Sequence, residues 1–332
     1  MKKIILILFL LSIQNLLVAQ TDPVIKNLVF EGAGIRGIAY CGAIIELESA
    51  NKMQHIENVG GTSAGAIVAL TVSLGYSGKE IQDIVSKTNF KRFNDGRYMF
   101  AGGVYRTNKY FGWYRGYQFE NWLEKIISYK TGNADITFEE LNKKGFKSLY
   151  VTGTCLNKQQ LVVFSHKTYP AMKIKDAVRI SMSIPLYYEA VFINKEGQVI
   201  NHPRQKEDLD VMVDGGFIAN FPVFIFDSLT RKNIHTLGFR IDSDSQIKND
   251  AKERTLANMP VGNFRQYISA FYNIVIENLN RNQLTDEDWK RTVSISDGNI
   301  GPRIRKLSST EISILITNGQ QATKAYFNQE KN

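Results

Sequence analysis

Ser63 stands in Gly61-Thr62-Ser63-Ala64-Gly65, a Gly-x-Ser-x-Gly sequence between a strand-like run (His55 to Val59) and an apolar helix-like run (Ile67 to Val72). A serine at so sharp a strand-to-helix turn is held in a strained backbone, its hydroxyl raised above the sheet. Gly61 and Gly65 flank it because a side chain at either place would strike the neighbouring strand or helix. The N-terminus of the following helix favours negative charge developing beside it. These features describe a nucleophile elbow.

A second element, Gly32-Ala33-Gly34-Ile35-Arg36-Gly37, follows the strand Asn27–Phe30 and opens a helix. Formally it is Gly-x-Gly-x-x-Gly, the dinucleotide fingerprint, so one alternative is a dinucleotide-binding protein. That fingerprint needs an acid ending the second strand to hold a ribose hydroxyl. Here the second strand ends in Gly60-Gly61-Thr62-Ser63, and Glu57 comes too early. Successive glycine amides also form a nest of N–H donors that holds an oxyanion as readily as a phosphate. Beside a candidate nucleophile, an oxyanion hole built from Gly32, Ala33, Gly34, Arg36 and Gly37 is the better account. Three roles stay open for the Arg36 side chain: bracing the loop, meeting a lipid phosphate, or forming a plain surface salt bridge.

The third element is Asp214-Gly215-Gly216, at the end of the strand-like run Leu209 to Val213. A serine hydroxyl needs a base within about 2.6–3.2 Å to take its proton. Histidine is the usual base, but none is well placed. His55 and His235 begin strands, and His166 and His202 fall in loops. Asp214 acting directly on Ser63 is the simpler arrangement. An isolated Asp-Gly usually marks a turn; its conjunction with the other two elements gives it weight.

In this order, Gly32-x-Gly34-x-Arg36-Gly37, Gly61-x-Ser63-x-Gly65 and Asp214-Gly215-Gly216 resemble the three signatures of the patatin-like phospholipase family, in its bacterial, secreted type. Ser181-Met182-Ser183-Ile184-Pro185 is similar to the family's Ala/Ser-Ser-x-Ala/Ser-x-Pro segment, and Gly112-Trp113-Tyr114-Arg115-Gly116 to its connection before the Phe119 helix. The resemblance covers about residues 26–225, with Ala33 where the family often has a third glycine; beyond that nothing diagnostic appears. It implies a three-layer α/β/α fold with a mostly parallel central sheet. It also implies a Ser–Asp dyad, Ser63 as nucleophile and Asp214 as general base, hydrolysing fatty-acyl esters of phospholipids or lysophospholipids through an acyl-Ser63 intermediate. The loop amides then hold the oxyanion, and neither metal nor nucleotide cofactor is needed. A non-catalytic lipid-binding protein is the remaining alternative, and the intact Ser63 and Asp214 speak against it.

The elements that must position these groups are legible as alternating patterns. Strand signals fall at Asn27–Phe30, His55–Val59, Ser148–Cys155, Leu161–Phe164, Glu189–Ile193, Asp210–Val213 and Thr236–Ile241. Helix-like patterns cover Ile38–Leu47, Ala64–Leu74, Lys79–Lys87, Phe119–Tyr129, Lys175–Ser181, Phe264–Asn280 and Thr310–Phe327. Alternation through the first half predicts a largely parallel sheet covered on both faces, with sites at the C-terminal ends of its strands. No linker interrupts the 332 residues, so residues 20–332 are expected to form a single catalytic domain.

Residues 1–19 read as a signal peptide: Lys2-Lys3, an apolar core from Ile4 to Leu11, and processing after Ala19. The apolar run is short for a span of about 20 residues, and no cysteine lies near the cleavage point to accept a lipid. Export to the periplasm or medium is the expectation. Loss of Lys2 and Lys3 takes the net charge from +9 to +7. That balance favours anionic surfaces as well as solubility. Cys41 and Cys155 read as small buried core residues, and the four histidines show no metal-ligand spacing. Between Phe90 and Trp122, Phe93, Tyr98, Phe100, Tyr105, Tyr110, Phe111, Trp113, Tyr114 and Tyr117 interleave with Lys91, Arg92, Arg97, Arg106, Lys109 and Arg115. This suits a lid or docking surface at an anionic lipid–water interface. The same pattern also fits a buried aromatic core beneath a solvated cationic face. Binding to single-stranded nucleic acid is not expected of an exported hydrolase, although aromatic-plus-basic patterns can serve it.

Overall fold

The computed structural model describes residues 23–329, apart from positions 97, 254, 265, 268–269, 272 and 275–280. The predicted signal peptide, and much of the predicted helix Phe264–Asn280, lie outside the described residues.

Ten strands are described: β1 (Asn27–Phe30), β2 (Asn58–Gly61), β3 (Gly112–Tyr114), β4 (Ser148–Cys155), β5 (Gln160–Phe164), β6 (Leu186–Tyr188), β7 (Val191–Ile193), β8 (Asp210–Asp214), β9 (Thr236–Asp242) and β10 (Thr292–Ser296). Eight of them make one sheet in the order β10-β9-β1-β2-β4-β8-β7, with β5 paired to β4; β3 and β6 form a separate ribbon. From β10 to β4 the neighbours run parallel. The pairs β4–β5, β4–β8 and β7–β8 are antiparallel.

Helices cover both faces, which the side-chain alternation of β1 reflects. Leu28 and Phe30 join the main core with the helices Ala39–Ser49 and Ala64–Ser73, whereas Val29 packs on the other side with Phe221 and Val223. The architecture is therefore three-layered, with a mostly parallel sheet, as expected. β9, between β1 and β10, comes from beyond residue 225, so the C-terminal part completes the sheet. Its last helix, Ser309–Gln329, lies against Ala39–Ser49 at glycine contacts: a Cβ on Gly42 would sit 1.9 Å from the Ile316 carbonyl oxygen. No helix among the described residues is long and apolar enough to cross a membrane.

Two differences from the sequence reading bear on the site. Met53–His55 is a short 3₁₀ turn, and β2 begins later and runs through Gly60 and Gly61, which pair with Tyr150 and Val151. Asp214 ends a strand that is antiparallel to β4, so it does not sit at the C-terminal end of a parallel strand. The reason lies in β4, which is eight residues long against four for β2. The lower half of β4 pairs with β2 through Val151, and its upper half pairs with β8 from Gly153 on. Since β5 occupies the opposite edge from Val151 to Cys155, β2 climbing and β8 descending meet end to end along one edge of β4. The crest of the parallel strands is thereby reached from both directions.

The aromatic region is divided between the two readings. Phe93, Tyr110 and Phe119 are buried, and Arg106 is buried beside Glu189. Tyr98, Phe100 and Tyr105 stand exposed around the helix Met99–Tyr110.

Candidate active site

Ser63 caps the helix Ala64–Ser73 with φ +53° and ψ −122°, a backbone that side-chain-bearing residues rarely adopt. The glycines around it make the turn possible. A Cβ on Gly65 would lie 2.2 Å from the Phe30 carbonyl oxygen, and one on Gly61 2.4 Å from that of Gly65. Thr62 ties the elbow to β4 and to the short helix Gly216–Ala219, bonding the Thr152 hydroxyl at 2.6 Å and donating to the Ala219 carbonyl at 2.8 Å.

Asp214 comes from the end of β8, its backbone N–H donating to the Ser183 carbonyl at 2.9 Å. One carboxylate oxygen accepts the Gly216 N–H at 2.8 Å. Burial pushes Asp214 from 3.8 up to about 7, and the Gly216 N–H and the nearby Ser63 hydroxyl pull against it. A carboxyl near neutrality can both take and return a proton at working pH. Gly215 leaves room for Thr152, whose hydroxyl would lie 2.4 Å from an added Cβ.

The glycine loop closes on the pair. The position of a Cβ on Gly32 lies 3.2 Å from the Cβ of Ser63, and that of a Cβ on Gly37 lies 3.0 Å from the Cβ of Ala64. Gly32 is latched to Asn220: its N–H donates to the Asn220 carbonyl and its carbonyl accepts from Nδ2, both at 3.0 Å. The Ile35 N–H donates to the Pro302 carbonyl at 3.1 Å. Among the described residues the amides of Ala33 and Gly34 carry no such bond, and Gly34 takes φ +56°. The Arg36 side chain turns away to the Ala33 carbonyl (3.2 Å) and Asp297 (3.4 Å), so of its three readings it takes the bracing one. Pro302 also fills the space over Gly34, where an added Cβ would lie 2.2 Å from its carbonyl oxygen.

Several members of the site carry no legible role in the sequence. The Ser181 hydroxyl accepts the Ser63 N–H at 2.8 Å, and Met182 Sδ lies 3.5 Å from Ser63 Oγ. Arg179, buried in the helix Ile174–Ser181, donates to the Ser183 hydroxyl and to the Arg115 carbonyl (2.6 Å). Beneath the glycine loop, Glu31 pairs ionically with Arg240 at 3.1 Å and accepts the Ile241 N–H at 3.2 Å. The available signal for Asn220 was its position as the one polar residue in the apolar run Phe217 to Val223. Three of the four histidines bond elsewhere: His202 with Glu189 at 3.0 Å, His235 with the Val24 carbonyl at 2.8 Å, and His55 with Gln54 at 3.1 Å, while His166 lies edge-on to the Tyr150 ring. Among the described residues no three His, Cys, Asp or Glu side chains group as metal ligands would.

Comparison with known proteins agrees with this geometry. A family model described as patatin-like phospholipase matches residues 28–227. Protein R571 of Acanthamoeba polyphaga mimivirus is 30% identical over 249 residues, 75% of each chain. A protein named "Probable lipid hydrolase 463L", of Invertebrate iridescent virus 6, is 26% identical over 206 residues, 60% of this chain and 62% of its own. The crystal structure of VipD from Legionella pneumophila shares the fold with a TM-score of 0.61 at 16% identity, covering 92% of this chain and 67% of VipD. Viruses as well as a bacterium hold these relatives, so the likeness extends beyond a bacterial type.

Proposed function

The chain belongs to the patatin-like phospholipase family, and from that premise we propose that it hydrolyses acyl esters of phospholipids or lysophospholipids through Ser63 and Asp214. The observation that carries the reading is a strained serine whose hydroxyl bears on a buried carboxylate with its pKa lifted to about 7.

Asp214 takes the Ser63 proton as Oγ attacks the acyl carbon. Charge then develops on the former carbonyl oxygen, for which the Ala33 and Gly34 amides are the free donors, with Gly32 and Arg36 holding their loop in shape. Collapse expels the lipid alcohol, which takes the proton from Asp214. Water, deprotonated by the same carboxylate, then releases the fatty acid from Ser63. Ser181 fixes the elbow by accepting its N–H, and Ser183 fixes the height of Asp214.

The exposed rim supports docking on an anionic lipid surface. Tyr98 (82% exposed) and Phe100 (74%) flank the start of one helix, and Leu186 (68%) lies four residues beyond Met182. Lys206 Nζ sits 4.4 Å from the Phe111 ring centroid on the same side. Rings with adjacent cations suit headgroup depth.

Labelling with a fluorophosphonate probe tests the chemistry: the wild type should label and Ser63→Ala should not. Undiminished labelling of Ser63→Ala would refute the nucleophile.

A further inference from the structure

The segment from Asp297 to Leu307 lies across the glycine loop. Asp297 pairs with Arg36, the Pro302 carbonyl accepts the Ile35 N–H, and Ile300 and Leu307 are buried in the main core. Arg303 follows Pro302 directly and is exposed. Its charge is also felt at Tyr187 of β6. Burial and Tyr114 raise the pKa of that phenol, while Asn94 and Arg303 pull it down. Tyr187 is five residues past Met182, which touches Ser63 Oγ. Arg303 thus stands at the rim of the glycine loop, one residue past the Pro302 carbonyl that accepts the Ile35 N–H.

The other cations nearby are already engaged. Arg36 is held by Asp297 and the Ala33 carbonyl, Arg179 is buried on Ser183, and Arg305 pairs with Glu311 at 2.5 Å. Arg303 has no ion-pair partner among the described residues.

We propose that Arg303 binds the phosphate of the lipid substrate and so selects phosphorylated acyl esters over neutral ones. In a glycerophospholipid the phosphate lies only a few bonds from the scissile carbonyl, so a carbonyl seated on the Ala33 and Gly34 amides brings the phosphate to the loop's rim. A guanidinium suits that group because its forked donors meet two phosphate oxygens at once. The assignment rests on the reading of Ser63 as an acyl-hydrolase nucleophile.

The test compares wild type, R303K, R303A and R303E on two soluble esters: a short-chain phosphatidylglycerol below its micelle concentration, and p-nitrophenyl butyrate. R303E should raise KM for the phospholipid about tenfold or more with kcat little changed, as loss of a charge-assisted contact would. R303K should retain most of the affinity, and neither the neutral ester nor the melting temperature should respond. Equal effects on both esters, or none on either, would overturn the assignment while leaving the hydrolase reading intact. Inorganic phosphate that inhibits neutral-ester turnover in an Arg303-dependent way would make this a site for free phosphate and overturn it as well. A wild type inactive on both esters would overturn the hydrolase reading and this one with it.

Discussion

Replacing Asp214 by asparagine should abolish turnover and stabilise the fold, increasingly so as pH rises. The folded chain holds the Asp214 proton more tightly than the unfolded chain, with the carboxyl moved from 3.8 to about 7. The stability linked to that proton is therefore fully present below pH 3.8 and is lost as pH climbs through about 7. At about 1.36 kcal/mol per pH unit between the two values, the ionised carboxylate costs the wild type on the order of 4 kcal/mol at pH 8, but on the order of 2 kcal/mol at pH 5. The substituted amide carries no charge at either pH, and its oxygen still accepts the Gly216 N–H. At an unfolding entropy of about 2.1 cal/mol/K per residue, the variant should melt roughly 6 °C above wild type at pH 8 and roughly 2 °C above it at pH 5. Paired melts from pH 5 to 9 cancel the other titrating groups, which are common to both proteins. A gap that stays flat or narrows as pH rises would refute the reasoning. The wild-type kcat/KM should rise with pH through the same midpoint, as expected of a base that acts only when ionised.

Ser181→Ala leaves the buried Ser63 N–H without its acceptor; chemical denaturation should show a loss of about 1–3 kcal/mol, with kcat falling as the elbow loosens. Gly65→Ala forces a methyl against the Phe30 carbonyl oxygen, and a loss of about 3 kcal/mol or more in urea unfolding is expected. Tyr98→Ser combined with Phe100→Ser should weaken binding to anionic vesicles about tenfold in flotation, without changing turnover of a soluble ester.

Much of the sheet was legible because its strands carry strong local signals. Asn27–Phe30 and Ser148–Cys155 are continuous or nearly continuous runs of strand-forming residues, and they appear with the expected bounds. β3, β6 and β10 were missed: the first two are three-residue pieces whose pairing partner is distant in sequence, and β10 is defined by its contact with β9. The glycine loop, the elbow and Asp214 were legible as local motifs because steric demand fixes their residue types. The parts played by Ser181 and Asn220 were not, since each acts only through a partner brought close by folding: Ser63, 118 residues away, and Gly32, 188 residues away. Arg36 shows the converse. Its motif left bracing, a lipid phosphate and a plain salt bridge open, and only the fold brings up Asp297, 261 residues on, as its partner.

β4 carries none of the reacting groups, yet it sets the distance between them. Gly61 is aligned with Val151 and Asp214 with Gly153, so the interval from serine to acid amounts to a count of residues along a third strand. One residue added or removed there would slide the two ends by about 3.3 Å and turn alternate side chains to the opposite face. Both motifs would survive such a change letter for letter, and the approach of serine to acid would not. A relative could therefore keep Gly-x-Ser-x-Gly and Asp-Gly-Gly and be inactive because of its β4 alone. Counting the residues of that strand is a check on activity that matching the motifs does not provide.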